Sequence, residues 1–76
     1  MEEKLYTAGQ IADMAGVSLR TIRFYDTKGL LKPVSYSDAG YRLYNRSSIL
    51  LLQKIVMLKY LGFSLQQIAE MIKATF

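Results

Sequence analysis

Ile11, Ala12 and Ala15 fall on one side of a short helix, and Gly16 can end it, because glycine accepts the left-handed conformation just past a helix terminus. In front of it, Thr7-Ala8-Gly9-Gln10 fits a capping box, with Thr7 as N-cap and Gln10 reaching back. Tyr6 and Ile11 are spaced to staple that entry. A second short helix follows Ser18, whose hydroxyl can accept an unpaired first-turn N–H, and Gly29 stands at its end. Successive helical residues turn by about 100°, so Leu19 and Ile22 share one side of it. Arg20, Thr21 and Phe24 point broadly the other way, with Arg23 at the border.

After Gly29 the periodicity changes. Leu30 and Leu31 read as core, and Pro33 bars a helix from continuing. Val34-Ser35-Tyr36 and Tyr41-Arg42-Leu43-Tyr44 flank the turn Ser37-Asp38-Ala39-Gly40, which predicts a β-hairpin. Side chains alternate along a strand, so Tyr41 and Leu43 share one face while Arg42 and Tyr44 share the other.

Asn45 can cap a third helix running to about Leu61 and ended by Gly62. Ile49, Leu50, Leu51, Leu52, Ile55, Val56, Met57, Leu58 and Leu61 cover most of its circumference. Such a helix is either the central core element or carries a face that awaits a partner. A fourth helix begins at Phe63-Ser64-Leu65-Gln66-Gln67-Ile68-Ala69-Glu70-Met71, which repeats the pattern of residues 6–14. The repetition is best explained by convergence on good capping chemistry. Lys59 and Tyr60 precede the corner at Leu61-Gly62-Phe63. They are candidates for a second wing, or for snorkelling side chains at the end of an apolar helix.

The helices flanking Gly16-Val17 have the sequence form of a helix-turn-helix, whose second helix enters the DNA major groove. A large exposed Phe24 between arginines suits a surface that meets something anionic and partly apolar. Arg42 on the hairpin could grip a phosphate through charge-assisted hydrogen bonds. Both features also fit a helical hairpin and a structural β-turn with solvated arginines.

Composition narrows the classes. The chain has 76 residues, room for one small domain over 1–76. Its formal net charge of +4 favours a polyanionic partner. With no Cys there is no disulfide or thiol chemistry, and with no His the usual general base and commonest metal ligand are missing. Six tyrosines and several serines have no base beside them, so an enzyme is not expected, nor a cofactor or metal. Met1 leads into acidic Glu2 and Glu3 rather than a signal peptide, and the apolar run Ile49–Leu52 is too short to span a bilayer. A cytoplasmic protein with no membrane partner is expected.

Taken together, the blocks Tyr6–Ala12, Val17–Asp26, Gly29–Leu31, Gly40–Tyr44 and Leu61–Ile68 resemble the N-terminal DNA-binding domain of the mercury-resistance (MerR-type) transcription regulators. The resemblance runs from Leu5 to about Lys73. It implies a mostly α fold with a small β-hairpin, a winged helix-turn-helix of four helices with a second helical wing. It implies sequence-specific binding to double-stranded promoter DNA as a homodimer, with the DNA distorted in response to an effector and RNA polymerase affected indirectly. Carried over by position, Arg20, Thr21, Arg23 and Phe24 match the recognition helix. Tyr41 and Arg42 match the hairpin wing, and Lys59 and Tyr60 the second wing. Tyr25 and Asp26 also match family positions, with Tyr25 counted among the DNA-binding residues and a packing role open for both.

Family members continue into a long pairing helix and an effector-binding region, and this sequence stops at Phe76, before both. The 76-residue chain by itself is therefore expected to be monomeric and to bind DNA weakly. Two other classes stay open, an excisionase-like architectural DNA-binding protein and a protein-interaction module.

Overall fold

The computed structural model describes residues 3–74. Met1, Glu2 and Phe76, on which the expectations about the chain's start and end partly rest, lie outside the described residues. The elements are β1 (Tyr6–Thr7), α1 (Ala8–Ala15), α2 (Leu19–Thr27), β2 (Ser35–Tyr36), β3 (Arg42–Tyr44), α3 (Arg46–Tyr60) and α4 (Leu65–Ala74).

Local chemistry fixes the helix starts. Thr7 Oγ1 accepts from the Gln10 N–H at 3.1 Å while the Thr7 N–H donates to Gln10 Oε1 at 2.8 Å. Ser64 and Gln67 repeat this reciprocal pair at the same 3.1 and 2.8 Å. Ser18 accepts from the Thr21 N–H at 3.1 Å. Asn45 caps α3 by accepting the Ser48 N–H on its side chain, and Ser48 Oγ accepts the Asn45 N–H in return.

The helix ends also share one device. Gly16 adopts a left-handed φ of 71°, and the N–H groups of Gly16 and Val17 turn back to the carbonyls of Asp13 and Ala12. Gly62, at φ 101°, does the same with Phe63, onto Lys59 and Leu58. A side chain with a Cβ would be strained at either glycine. Each corner delivers an apolar residue, Val17 or Phe63, onto the core.

β3 is the middle strand of a three-stranded antiparallel sheet ordered β1-β3-β2. Ser35 and Tyr36 pair with Leu43 and Arg42, as the hairpin pattern predicts. On the other side Tyr6 and Thr7 pair with Tyr44 and Leu43. That third strand was not anticipated. Tyr6 was read only as a helix staple, and two residues carry no alternation of their own to reveal a strand.

The core is one cluster at the meeting point of α1, α2, α3, α4 and the sheet, with Ile11, Ile22, Leu31, Tyr44, Leu52, Ile55 and Ile68 fully buried. Leu30 and Leu31 are buried as expected. On α3, Ile49, Leu52, Ile55 and Leu58 face this core, while Leu50, Met57 and Leu61 remain exposed. The helix is thus both the core element and the owner of an apolar outer face. Among the described residues no helix is long and apolar enough to cross a membrane.

Candidate nucleic-acid interface

Helix α2 is set in the domain by Ile22 and Tyr25, which are 0% and 7% exposed. The expected axis ran through Leu19 and Ile22. Leu19 is instead 40% exposed, because the phenyl ring of Tyr25 takes the inner position one turn further on. This rotates the outward face toward Arg20, Arg23 and Phe24, all exposed, and leaves Thr21 half-buried beside its cap. The Thr21 hydroxyl lies 3.0 Å from Ser18 Oγ, so part of its hydrogen-bonding capacity goes to holding the helix start.

Tyr25, for which both DNA contact and packing are expected, is buried in the core cluster, and burial pushes its phenol pKa up. Phe24 beside it is 44% exposed. Its ring covers a crevice between α2 and α4, lined also by Leu30, Leu65 and Ala69, and the Lys28 ammonium lies 5.5 Å from its centroid.

The hairpin stands next to α2 through one ion pair. Arg42 Nε donates to Asp26 Oδ2 at 2.7 Å, and Lys32 Nζ stands 3.6 Å from Asp26 Oδ1. The Asp26 side chain is 13% exposed and that of Arg42 47%. Arg42 and Tyr44 do share a strand face, and that face looks toward α2 rather than outward. Tyr44 is fully buried, and its hydroxyl has no partner among the described residues. Burial raises its pKa, the Asp26 carboxylate raises it further, and the Arg42 guanidinium acts against both. Tyr41, one residue before β3, is 70% exposed.

Between α2 and the hairpin lies a cleft of about 410 Å³. Arg23 and Leu19 form one wall, Tyr41 and Arg42 the other, and the first turn of α1 closes one side. The fold therefore brings Arg23, Tyr41 and Arg42 together. Arg20 stands exposed outside the cleft. Lys59 and Tyr60 are exposed at the end of α3, with Tyr60 at 90%. Asp26, Leu19 and Lys28 join the neighbourhood of the site without having been singled out. Asp26 was marked only as a family position, and nothing local in the sequence links it to a residue sixteen positions on. Among the described residues no group of three or more acidic side chains is placed to hold a metal.

An exposed arginine pair on a helix-turn-helix and its wing suits a phosphate backbone, and comparison with known proteins agrees. Residues 6–75 match the model of the MerR HTH family regulatory proteins. The chain belongs to this family. It is 45% identical over 67 residues to the HTH-type transcriptional activator mta of Bacillus subtilis and 42% identical to the activator TipA of Streptomyces coelicolor. Each match covers 88% of this chain but 26% of the relative, so the chain spans about a quarter of their length. Among solved structures, the N-terminal part of the Bacillus subtilis multidrug transporter activator, MtaN, superposes with a TM-score of 0.84 at 45% identity, covering 88% of this chain and 63% of that one. HiNmlR, a MerR family regulator lacking the sensor domain and bound to promoter DNA, superposes with a TM-score of 0.87 at 33% identity, covering 95% and 55%. These structures share the winged helix-turn-helix, so the expected fold class holds. The relatives matched are transcriptional activators, not enzymes.

Proposed function

We propose that this chain is the part of a MerR-type transcription regulator that binds double-stranded promoter DNA in a sequence-specific way. The observation that carries the reading is the exposed face of Arg20, Arg23 and Phe24 on α2, flanked by the Tyr41–Arg42 wing. Side chains near the start of a recognition helix reach base edges, while arginines on a wing reach phosphates. Lys59 and Tyr60 form the second wing in this reading, and Thr21 contributes at the helix start. Tyr25 supports the helix from within.

The whole regulator is a cytoplasmic homodimer on a pseudo-palindromic site, distorting the promoter when an effector binds and acting on RNA polymerase through the DNA. The likeness to a MerR family regulator bound to promoter DNA supports the promoter-binding part of this reading. The family match runs on through α3 and α4, which favours the regulator over an excisionase-like architectural protein. A protein-interaction role has its own support in the exposed Leu50, Met57 and Leu61 of α3. It is compatible with DNA binding elsewhere on the surface.

The test is selection of duplexes from a random pool by the chain fused to a dimerising coiled coil, followed by titration at two salt concentrations. Enrichment of an inverted repeat supports the reading. Absence of salt-dependent duplex binding overturns it and leaves the interaction module.

A further inference from the structure

The Arg42 guanidinium is not free. Its Nε is bound by Asp26 at 2.7 Å, which leaves the two terminal NH₂ groups as the available donors. A wing arginine on a short hairpin is ordinarily a mobile side chain. Here a carboxylate on α2, itself 13% exposed, holds it along one wall of the cleft opposite Arg23.

The third wall carries a glycine that the protein itself does not need. Gly9 lies in the first turn of α1, and its φ is not in the left-handed region. A Cβ built there would meet only Thr7 Oγ1, at an ordinary 3.9 Å. Glycine inside a helix is less stable than alanine, so an internal reason for it is lacking. Gly9 lines the same cleft as the two arginines. The inner wall is Tyr44, whose buried hydroxyl has no partner among the described residues.

We propose that this cleft seats one backbone phosphodiester of duplex DNA, between Arg23 and Arg42 and against the bare backbone at Gly9, and that Asp26 is a positioning residue that aligns Arg42 for it. The proposal rests on the DNA-binding reading above. The lining suits a phosphodiester rather than a free inorganic anion. Leu19 and Tyr41 also line the cleft, and apolar surface beside the charged groups suits the sugar next to a phosphate.

The proposal fixes a sign that charge alone would reverse. Asp26→Asn raises the net charge of +4 by one, and by simple electrostatics that tightens DNA binding. If Asp26 aligns Arg42, the same change weakens it. The experiment measures fluorescence anisotropy of a labelled random-sequence 24-base-pair duplex at low salt, with thermal melts of each variant. The parent chain must bind in a salt-dependent way, and failure at that step sinks the DNA-binding reading itself. Given parent binding, Asp26→Asn is expected to weaken it about 5-fold, on the scale of a lost charge-assisted contact. It should have no further effect in an Arg42→Ala background. Gly9→Ala is expected to melt at or above the parent temperature and still bind about 3-fold or more weaker, because its methyl group fills the seat. Gly9→Ala also covers the case in which Asp26→Asn fails to fold. Binding by either folded variant at parental strength overturns the proposal, as does an equal loss from Asp26→Asn with and without Arg42.

Discussion

The rings of Phe24 and Tyr25 stand 6.1 Å apart and tilted by 49°, yet one is 44% exposed and the other 7%. Adjacent helical positions differ by about 100°, so the boundary between surface and core passes between these two rings. Phe24→Ala is expected to lower duplex affinity while costing about 1 kcal/mol of stability or less, since only part of its ring leaves apolar contact. Tyr25→Ala is expected to cost about 3 kcal/mol, as for other large aromatic truncations in a core. In a domain of this size that separates their melting temperatures by roughly 10 °C. Thermal melts of the two variants check this, and equal losses would mean that Phe24 also belongs to the core.

The same boundary shows what could be read from the sequence. Caps and corners were legible because their partners lie within five residues. Thr7 with Gln10, Ser18 with Thr21, Asn45 at the start of α3 and Ser64 with Gln67 all fall where their spacing places them. The buried axis of α2 was misplaced because leucine and isoleucine are the conspicuous apolar residues, whereas a tyrosine can bury its ring with its hydroxyl at an edge. β1 escaped notice because its only evidence is its pairing with Leu43 and Tyr44, far along the chain. The Asp26–Arg42 bond escaped for the same reason. The site was legible as a list of basic and aromatic residues, but not as a cleft with an internal counter-charge.

The two capping boxes give a matched pair of stability predictions. Ser64→Ala removes the acceptor for the Gln67 N–H and is expected to cost about 1 kcal/mol. Ser64 lies outside the cleft, so duplex binding by the folded variant should equal that of the parent. Thr7→Ala should cost about the same stability, from the equivalent bond to Gln10. Thr7 lines the cleft, so there a change in affinity is expected as well. Melting curves and anisotropy titrations on both variants separate the two effects.

Burial of Tyr25 and Tyr44 makes stability fall at alkaline pH. Both phenols titrate above the ordinary value of 10.0 in the folded chain, chiefly because burial disfavours the charged form. The unfolded chain therefore loses these protons first as pH rises past about 10. Above that value the unfolded state binds fewer protons than the folded state, and stability declines until the folded pKa is passed. Below it, the contribution is fully present. Melts between pH 8 and 11 should show the decline, and Tyr44→Phe should lessen it. Because the Tyr44 hydroxyl has no partner among the described residues, that variant is expected to be as stable as the parent at pH 7, or more so. A large loss at pH 7 would show that the hydroxyl is satisfied after all.

Arg20 and Arg42 are both arginines of the proposed DNA-binding face, but the fold gives them different freedom. Arg20 stands near the start of α2, exposed and outside the cleft, where recognition helices present side chains to base edges. Arg42 is tied to Asp26 and borders the cleft, so its terminal nitrogens are held at the cleft wall. Arg20→Ala is expected to cost about 1–3 kcal/mol on a selected duplex and little on a scrambled one, relaxing preference at one or two base pairs. Arg42→Ala should weaken both duplexes alike. If each domain neutralises ~5 phosphates, the parent's log–log salt slope should be about −4 to −5, and Arg42→Ala should reduce its magnitude by about one. Arg20→Ala should alter the slope less than it alters discrimination between the duplexes. Titrations of the three proteins on both duplexes at several salt concentrations decide the matter. If the two variants lose affinity identically on both duplexes, with identical slopes, the division between a base-reading and a backbone-holding arginine fails.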